Sequence, residues 1–423
     1  MECYLDNAAT TQPFQKVKDV MNQVLQEDYG NPSSMHQKGV DAEKYIKDAR
    51  QVIAKSLRVT EKEIIFTSGG TESNNMAIIG TALANQRAGK HMITTGMEHA
   101  SVYNPFLFLE ELGYEVTYLG VDAMGHVDLK ELEQAVREDT ILVSIMFVNN
   151  EIGAVADMEA ISQTIRKKNP KTLLHADAIQ AYGKLTIYPK KLGIDLLSVS
   201  GHKIHGPKGS GFIYIRDKVK IKPIIYGGEQ QRGMRSGTEN VPAIAGLGVS
   251  VTEYQKDHKD KIRDMYVKKA HFILKALKIE KVRVHGVGEP DEIQKLYDEL
   301  CCRDNPENHA AYTAFKDAEY DWQEEALRVL QAPHIVSVSF PGVRSEVMLH
   351  ALEDKGIYVS AGSACSSNHP GISGTLKAIG LDEKELTSTL RFSFSLTTTT
   401  EQIDYALDAA AKLYPMLARY TRK

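Results

Sequence analysis

An open α/β fold, with helices on both faces of a mostly parallel sheet and a smaller α+β unit after it, is what this sequence predicts. Three observations carry the prediction. Through roughly the first 250 residues, short apolar runs alternate with amphipathic stretches, the pattern of a sheet covered by helices. A glycine pair separates a strand-like run from a helix-like one in "EIIFTSGGTESNNMAIIGTALA" (63–84). From about residue 255 the rhythm changes to long helices with few strands.

The elements follow in order. "FQKVKDVMNQVL" (14–25) and "VDAEKYIKDARQVIAKSL" (40–57) repeat apolar residues at helical spacing. After the strand, turn and helix of 63–84, strands are expected at "HMITT" (91–95), "EVTYL" (115–119), "ILVSIMFV" (141–148), "TLLHAD" (172–177), "DLLSVS" (195–200) and "GFIYI" (211–215). Helical stretches lie between most of them. Later strands are read at "HIVSVSF" (334–340) and "RFSFSL" (391–396). The expected division is a large unit over 15–254 and a small one over 1–14 together with 255–423. One segment, 289–325, stands apart with twelve acidic residues against three basic ones, and holds Trp322, Cys301 and Cys302. It is read as a surface insertion without a catalytic part, in preference to a docking site for an acceptor.

Composition bounds the function. A chain of 423 residues can bury full cores without disulfide or metal staples. A net charge of −4 argues against general affinity for nucleic acid or anionic membranes, which leaves proteins and small molecules as partners. No charged-then-apolar leader is visible, and no apolar run approaches the roughly 18 residues of a membrane span. A cytoplasmic protein is expected. The four cysteines, Cys3, Cys301, Cys302 and Cys365, form no CxxC and no zinc-type cluster, so neither a disulfide framework nor a metal is expected. Adjacent cysteines such as Cys301 and Cys302 are poorly placed to bond each other.

Ligands of open α/β sheets bind at the carboxyl ends of the strands, so the residues after each strand deserve scrutiny. Gly69, Gly70 and Thr71 lie between a strand and a helix, where free backbone N–H groups and the helix dipole favour an anion such as phosphate. In "HADAIQ", Asp177 ends a buried strand, with Gln180 three residues on; a carboxylate there needs a cationic partner. "SVSGHK" adds Ser200, His202 and Lys203. "GPKGSG" is not a phosphate loop, because GxxxxGK[ST] is absent. An anion cradle, a buried acid and one lysine are what pyridoxal 5'-phosphate requires: the lysine for its aldehyde, the acid for its ring nitrogen.

At this point the chain resembles the class V aminotransferases, and among them the cysteine desulfurases. The resemblance rests on "YLDNAATT" (4–11), "GNPSSMH" (30–36), "FTSGGTESNN" (66–75), "MEHAS" (97–101), "VNNEIG" (148–153), "HADAIQ" (175–180), "SGHKIHGPKG" (200–209), "GGEQQRGMRSGTEN" (227–240), "SAGSACSS" (360–367) and "LRFSFS" (390–395), all in order. It implies a fold-type-I pyridoxal-phosphate transferase. It implies that Lys203 is the Schiff-base lysine, that Asp177 pairs with the pyridinium, and that Gln180 donates to the phenolic oxygen. Gly70, Thr71, Ser200 and His202 would hold the phosphate, with Thr238 reaching it from the neighbouring subunit of a homodimer. His99 would stack on the ring and exchange protons with substrate. Asn150 and Arg391 would face the amino acid, and a guanidinium suits a carboxylate. Cys365 would be the nucleophile that takes sulfur from L-cysteine, with alanine as product, and passes it to an iron–sulfur scaffold or a tRNA-thiolation enzyme. A selenocysteine lyase or another class V enzyme is the nearest alternative, and a non-catalytic acceptor-binding scaffold a more distant one. "RFSFSLTTTT" departs from the family, which more often has a glycine after Arg-Phe-Ser.

Overall fold

The computed structural model describes residues 1–302, 321–361 and 373–420. Thirteen strands are labelled in chain order among those residues: β1 (Cys3–Tyr4), β2 (Ile64–Thr67), β3 (His91–Thr95), β4 (Glu115–Leu119), β5 (Thr140–Met146), β6 (Leu173–Asp177), β7 (Leu196–Ser200), β8 (Gly211–Ile215), β9 (Arg283–His285), β10 (Ile335–Ser339), β11 (Ile357–Tyr358), β12 (Ser360–Ala361) and β13 (Thr389–Ser393). Seven of them form one sheet in the order β2-β8-β7-β6-β5-β3-β4. The pairs β3–β4, β3–β5, β5–β6 and β6–β7 are parallel, while β8 runs against both β7 and β2. Six of the seven strands, all but β8, therefore end on one edge, and the candidate residues follow five of them, β2, β3, β5, β6 and β7.

These strands form because both faces are covered. All residues of β2, β3, β5 and β7 are buried, as in parallel sheets sandwiched between helices. The helix Gln37–Leu57 buries Gly39, Ala42, Ile46, Ala49, Ile53 and Leu57, steps of three and four that place one apolar stripe toward the core. It ends on Arg58, whose left-handed backbone (φ 54°) stops the helix. That helix and Gln15–Gln26 both pack on Val241–Gln255, whose start is capped by Asn240 with Pro242 in its first turn.

A second core surrounds the antiparallel sheet β12-β13-β10-β9. It includes Met265 and Phe272 of the helix His258–Ala276, Ile293, Leu296 and Leu300 of Pro290–Cys302, and Trp322 and Leu330 of Trp322–Leu330. The acidic stretch thus begins and ends in helices whose apolar faces are core, and residues 303–320 between them lie outside the described residues. Cys3 and Leu5 belong to this second core, because β1 pairs in parallel with β11. The N-terminal segment then crosses to the large sheet, where the Thr11 hydroxyl donates to the His202 carbonyl at 2.8 Å. Among the described residues no helix is long and apolar enough to cross a membrane.

Candidate active site

The edge of the seven-stranded sheet holds a cavity of about 280 Å³. Gly70, Thr71, His99, Asn150, Asp177, Gln180, Ser200, His202, Lys203 and Arg391 all line it. Thr238 does not take part, being exposed and outside this lining, and Cys365 lies outside the described residues. A larger cleft of about 660 Å³, between the helix Trp322–Leu330 and the chain at 184–192, contains none of the candidate side chains.

The anion end is built from a helix start. Gly69 has φ +148°, which favours glycine, and turns the chain into the helix Gly70–Asn85. At Gly70 a Cβ would lie 2.1 Å from Ile179 Cδ1, so any side chain there would force Ile179 or the helix start to shift. Ser200 is buried at the end of β7. His202 follows, its Nδ1 3.2 Å from the Thr10 hydroxyl; burial first, then Lys203, lowers its pKa to about 4.

At the other end, Asp177 is the last residue of β6 and only 2% exposed. Its Oδ1 accepts the Ile179 N–H at 3.0 Å, and its Oδ2 accepts from Asn74 Nδ2 at 2.9 Å. Burial pushes this carboxyl up, opposed by those bonds and by His99 and Lys203. A carboxylate buried against a cavity calls for a cation inside it.

Asn74, which sequence reasoning passed over, also donates to Ser101 Oγ at 2.9 Å. His99 caps the helix Ala100–Glu111, its Nδ1 accepting from the Ser101 N–H at 3.1 Å and from the Ser101 hydroxyl at 2.8 Å. Nδ1 is therefore the bare nitrogen of a neutral ring whose hydrogen sits on Nε2. Burial, then Lys203 and Arg391, lower its pKa against the pull of Asp177. The signal for Asn74 was its offset: four residues after Gly70 on one helix, it shares the cavity face.

Lys203 Nζ donates to the carbonyls of Ala8 (2.5 Å) and Ala9 (2.7 Å), and Gln180 Nε2 to that of Ala8 (2.9 Å). These backbone acceptors of "YLDNAATT" were also missed; no residue type announces a carbonyl. Lys184 Nζ donates to the Lys203 carbonyl at 2.5 Å, and burial lowers its pKa to about 7. Arg391 sits mid-strand in β13, paired with Ser337 and Ser360. Its guanidinium donates to the Asn150 carbonyl at 2.8 Å and to Asp6 Oδ1 at 2.9 Å. The departure after Arg-Phe-Ser leaves this geometry intact, since Phe394 remains buried and its N–H reaches the His334 carbonyl at 2.8 Å.

One cavity thus combines a primary amine, a buried carboxylate and a helix start, the donor set for a phosphorylated pyridine aldehyde. Fold and site together define a class V aminotransferase, and the family model with that description matches residues 3–296 and 322–406. A cysteine desulfurase IscS of Methanosarcina thermophila is 39% identical over 414 residues, 98% of this chain and 92% of that one. A solved NifS-like protein superposes with a TM-score of 0.84 at 34% identity, covering 99% of this chain and all of the other. SspA, solved in complex with cysteine, matches with a TM-score of 0.70 at 31% identity over 94% of this chain and all of its own. The chain belongs to the class V aminotransferase family and, within it, to the cysteine desulfurases.

Proposed function

We propose that this protein is a pyridoxal-phosphate-dependent cysteine desulfurase that converts L-cysteine to L-alanine and holds the sulfur as a persulfide on Cys365. The observation that carries the reading is the convergence of Lys203 and Asp177 on one cavity beside the helix start at Gly70. Lys203 would join the cofactor's aldehyde and Asp177 would keep its ring nitrogen protonated. Gly70, Thr71, Ser200 and His202 would hold its phosphate, completed by Thr238 from a second subunit. When bound, the cofactor supplies an electron sink for the substrate's α-carbon.

The chain's own groups do the rest. Arg391 and Asn150 orient the substrate carboxylate. Lys203 moves the α-proton. His99, neutral with its hydrogen on Nε2, offers a proton to the substrate. The Cys365 thiolate attacks the substrate sulfur, the Cβ–S bond breaks with its electron pair going to carbon, and that carbon is reprotonated. L-cysteine and the Cys365 thiol become L-alanine and a persulfide, with atoms balanced. A free thiol, with pKa about 8.5, needs a proton acceptor at neutral pH. β12 ends at Ala361, four residues before Cys365, and pairs with β13 beside Arg391. The sulfur would pass to an acceptor protein of iron–sulfur assembly or thiolation.

The test is to supply the protein with pyridoxal phosphate, L-cysteine and a reductant and to measure alanine and sulfide together. Equal yields from wild type, and none from Lys203→Ala or Cys365→Ala, are expected. Alanine production that survives Cys365→Ala would refute the persulfide step.

A further inference from the structure

We infer that His334 is a positioning residue that sets which end of the Gln180 amide faces the cofactor cavity. The inference rests on the reading above, in which Gln180 donates to the phenolic oxygen of pyridoxal phosphate.

A glutamine amide is nearly symmetric in shape and opposite in polarity at its two ends, so its neighbours decide which atom points where. Gln180 has two protein anchors. Its Nε2 donates to the Ala8 carbonyl at 2.9 Å, and its Oε1 lies 3.1 Å from His334 Nε2. A carbonyl oxygen can only accept, so the imidazole must carry its hydrogen on Nε2 and leave Nδ1 bare. His334 Nδ1 indeed has no hydrogen-bond partner among the described residues. That is the cheaper nitrogen to strand, since it is a lone pair and the only N–H is used. A flipped amide would set NH₂ against the imidazole N–H and one carbonyl oxygen against another. Both anchors select the same orientation, and the second N–H of Gln180 stays available on the side that lines the cavity.

The device is also constant with pH. His334 is 1% exposed, and burial together with Lys184, Lys269, Arg391 and Lys203 holds its pKa well below the usual histidine range. It comes from outside the large sheet: His334 immediately precedes β10, and its carbonyl accepts from Phe394 N–H at 2.8 Å. A residue at the entry to the second sheet therefore sets the polarity of the cavity wall.

The experiment uses the full chain, reconstituted with pyridoxal phosphate, as wild type, His334→Leu and His334→Gln. Cofactor affinity and the pH titration of the visible absorption band are both read. A donor lost from a phenolate-type oxygen leaves more charge there and favours the protonated chromophore. His334→Leu should move the titration midpoint up by about half a unit or more and weaken cofactor binding about fivefold. His334→Gln, which returns an N–H at similar reach, should restore both. In a Gln180→Leu background, His334→Leu should add little, because the histidine acts through the glutamine. Wild-type spectra and affinity in His334→Leu, or full additivity with Gln180→Leu, overturn the inference alone. A wild type that takes up no pyridoxal phosphate removes the functional reading and the inference with it. Should His334→Leu not fold, ¹⁵N spectra of the histidine rings in the wild type decide: hydrogen on Nε2 supports the inference, and hydrogen on Nδ1 refutes it.

Discussion

Glu98, next to His99, shows how far this site strains single residues. Its Oε1 accepts from the Met146 N–H at 2.9 Å and the Thr95 hydroxyl at 2.8 Å, while Oε2 is buried without a partner among the described residues. Burial raises the carboxyl from 4.5 to about 8, and nearby Asp177 adds to the rise. The folded state binds this proton more tightly than the unfolded chain does, so the group's contribution to stability is largest below about pH 4.5 and declines as pH rises to about 8. Glu98→Gln places NH₂ where Oε2 lies and keeps the accepting oxygen. The variant should melt roughly 1–3 °C above wild type at pH 9 and close to it at pH 5. Scanning calorimetry at both values checks the sign. Asn74 makes a second prediction. It gives one N–H to Asp177 and one to Ser101, so Asn74→Ala removes a charge-assisted bond worth about 2 kcal/mol. Cofactor affinity should fall about tenfold or more, read by absorbance titration, with little change in the fold.

At the scale of elements, the meeting of the helix Gly70–Asn85 with the loop after β6 is the tightest join in the site. Gly70→Ala would bring a methyl to 2.1 Å from Ile179 Cδ1 and 2.8 Å from its Cγ1. Overpacking of this kind costs about 1–3 kcal/mol and would tilt the helix start away from its anion. Gly70→Ala should lower both melting temperature and cofactor affinity, and Gly70→Ala with Ile179→Ala should recover part of each. No recovery would mean that the glycine serves its backbone and not the contact. The same scale explains what the sequence disclosed. β3, β4, β6, β7 and β8 were legible within a residue, because strands in a covered sheet read as short apolar runs between turn residues. The direction of β8 was not, since periodicity is the same for a strand run either way. β1, β9, β11 and β12, of two or three residues each, are too short to show a period. Gly70, Thr71, Asp177, Gln180, Ser200, His202 and Lys203 were legible because parallel strands deliver their following residues to one edge, whereas His99, Asn150 and Arg391 came from the family resemblance alone. Ala8 and Ala9 were not, since they act through backbone carbonyls that no residue type announces; Asp6, whose carboxylate holds Arg391, and Asn74, marked only by its offset from Gly70, were passed over as well.

The whole molecule joins two cores through its N-terminal segment, and the site draws on both: Asp6 and Arg391 reach it from the second core, Lys203 and Asp177 from the first. Thr238 reaches nothing in it within one chain. It is exposed, and so is its surrounding surface: Tyr226 is 73% exposed, and Ile225 is tied to the same turn through its carbonyl, which accepts the Ser236 N–H at 3.4 Å. Apolar side chains displayed beside a polar one fit a surface that a second copy covers. In the isologous dimer proposed above, each subunit would lend Thr238 to its partner's cavity. The consequence can be read without any structure of the dimer. Thr238→Trp damages the neighbour's cavity, whereas Lys203→Ala damages its own. A mixed dimer holds both lesions in one cavity and leaves the other complete. Each variant alone should be inactive. Unfolded together in equal amounts, refolded with pyridoxal phosphate and assayed for alanine, they should recover about a quarter of wild-type activity, since about half the dimers are mixed and each keeps one of two sites. Activity that stays at background, with mixed dimers present by native mass spectrometry, would place Thr238 in its own subunit's chemistry. Half of wild-type activity or more would mean that the threonine is dispensable, with the Lys203→Ala chain the only defective partner.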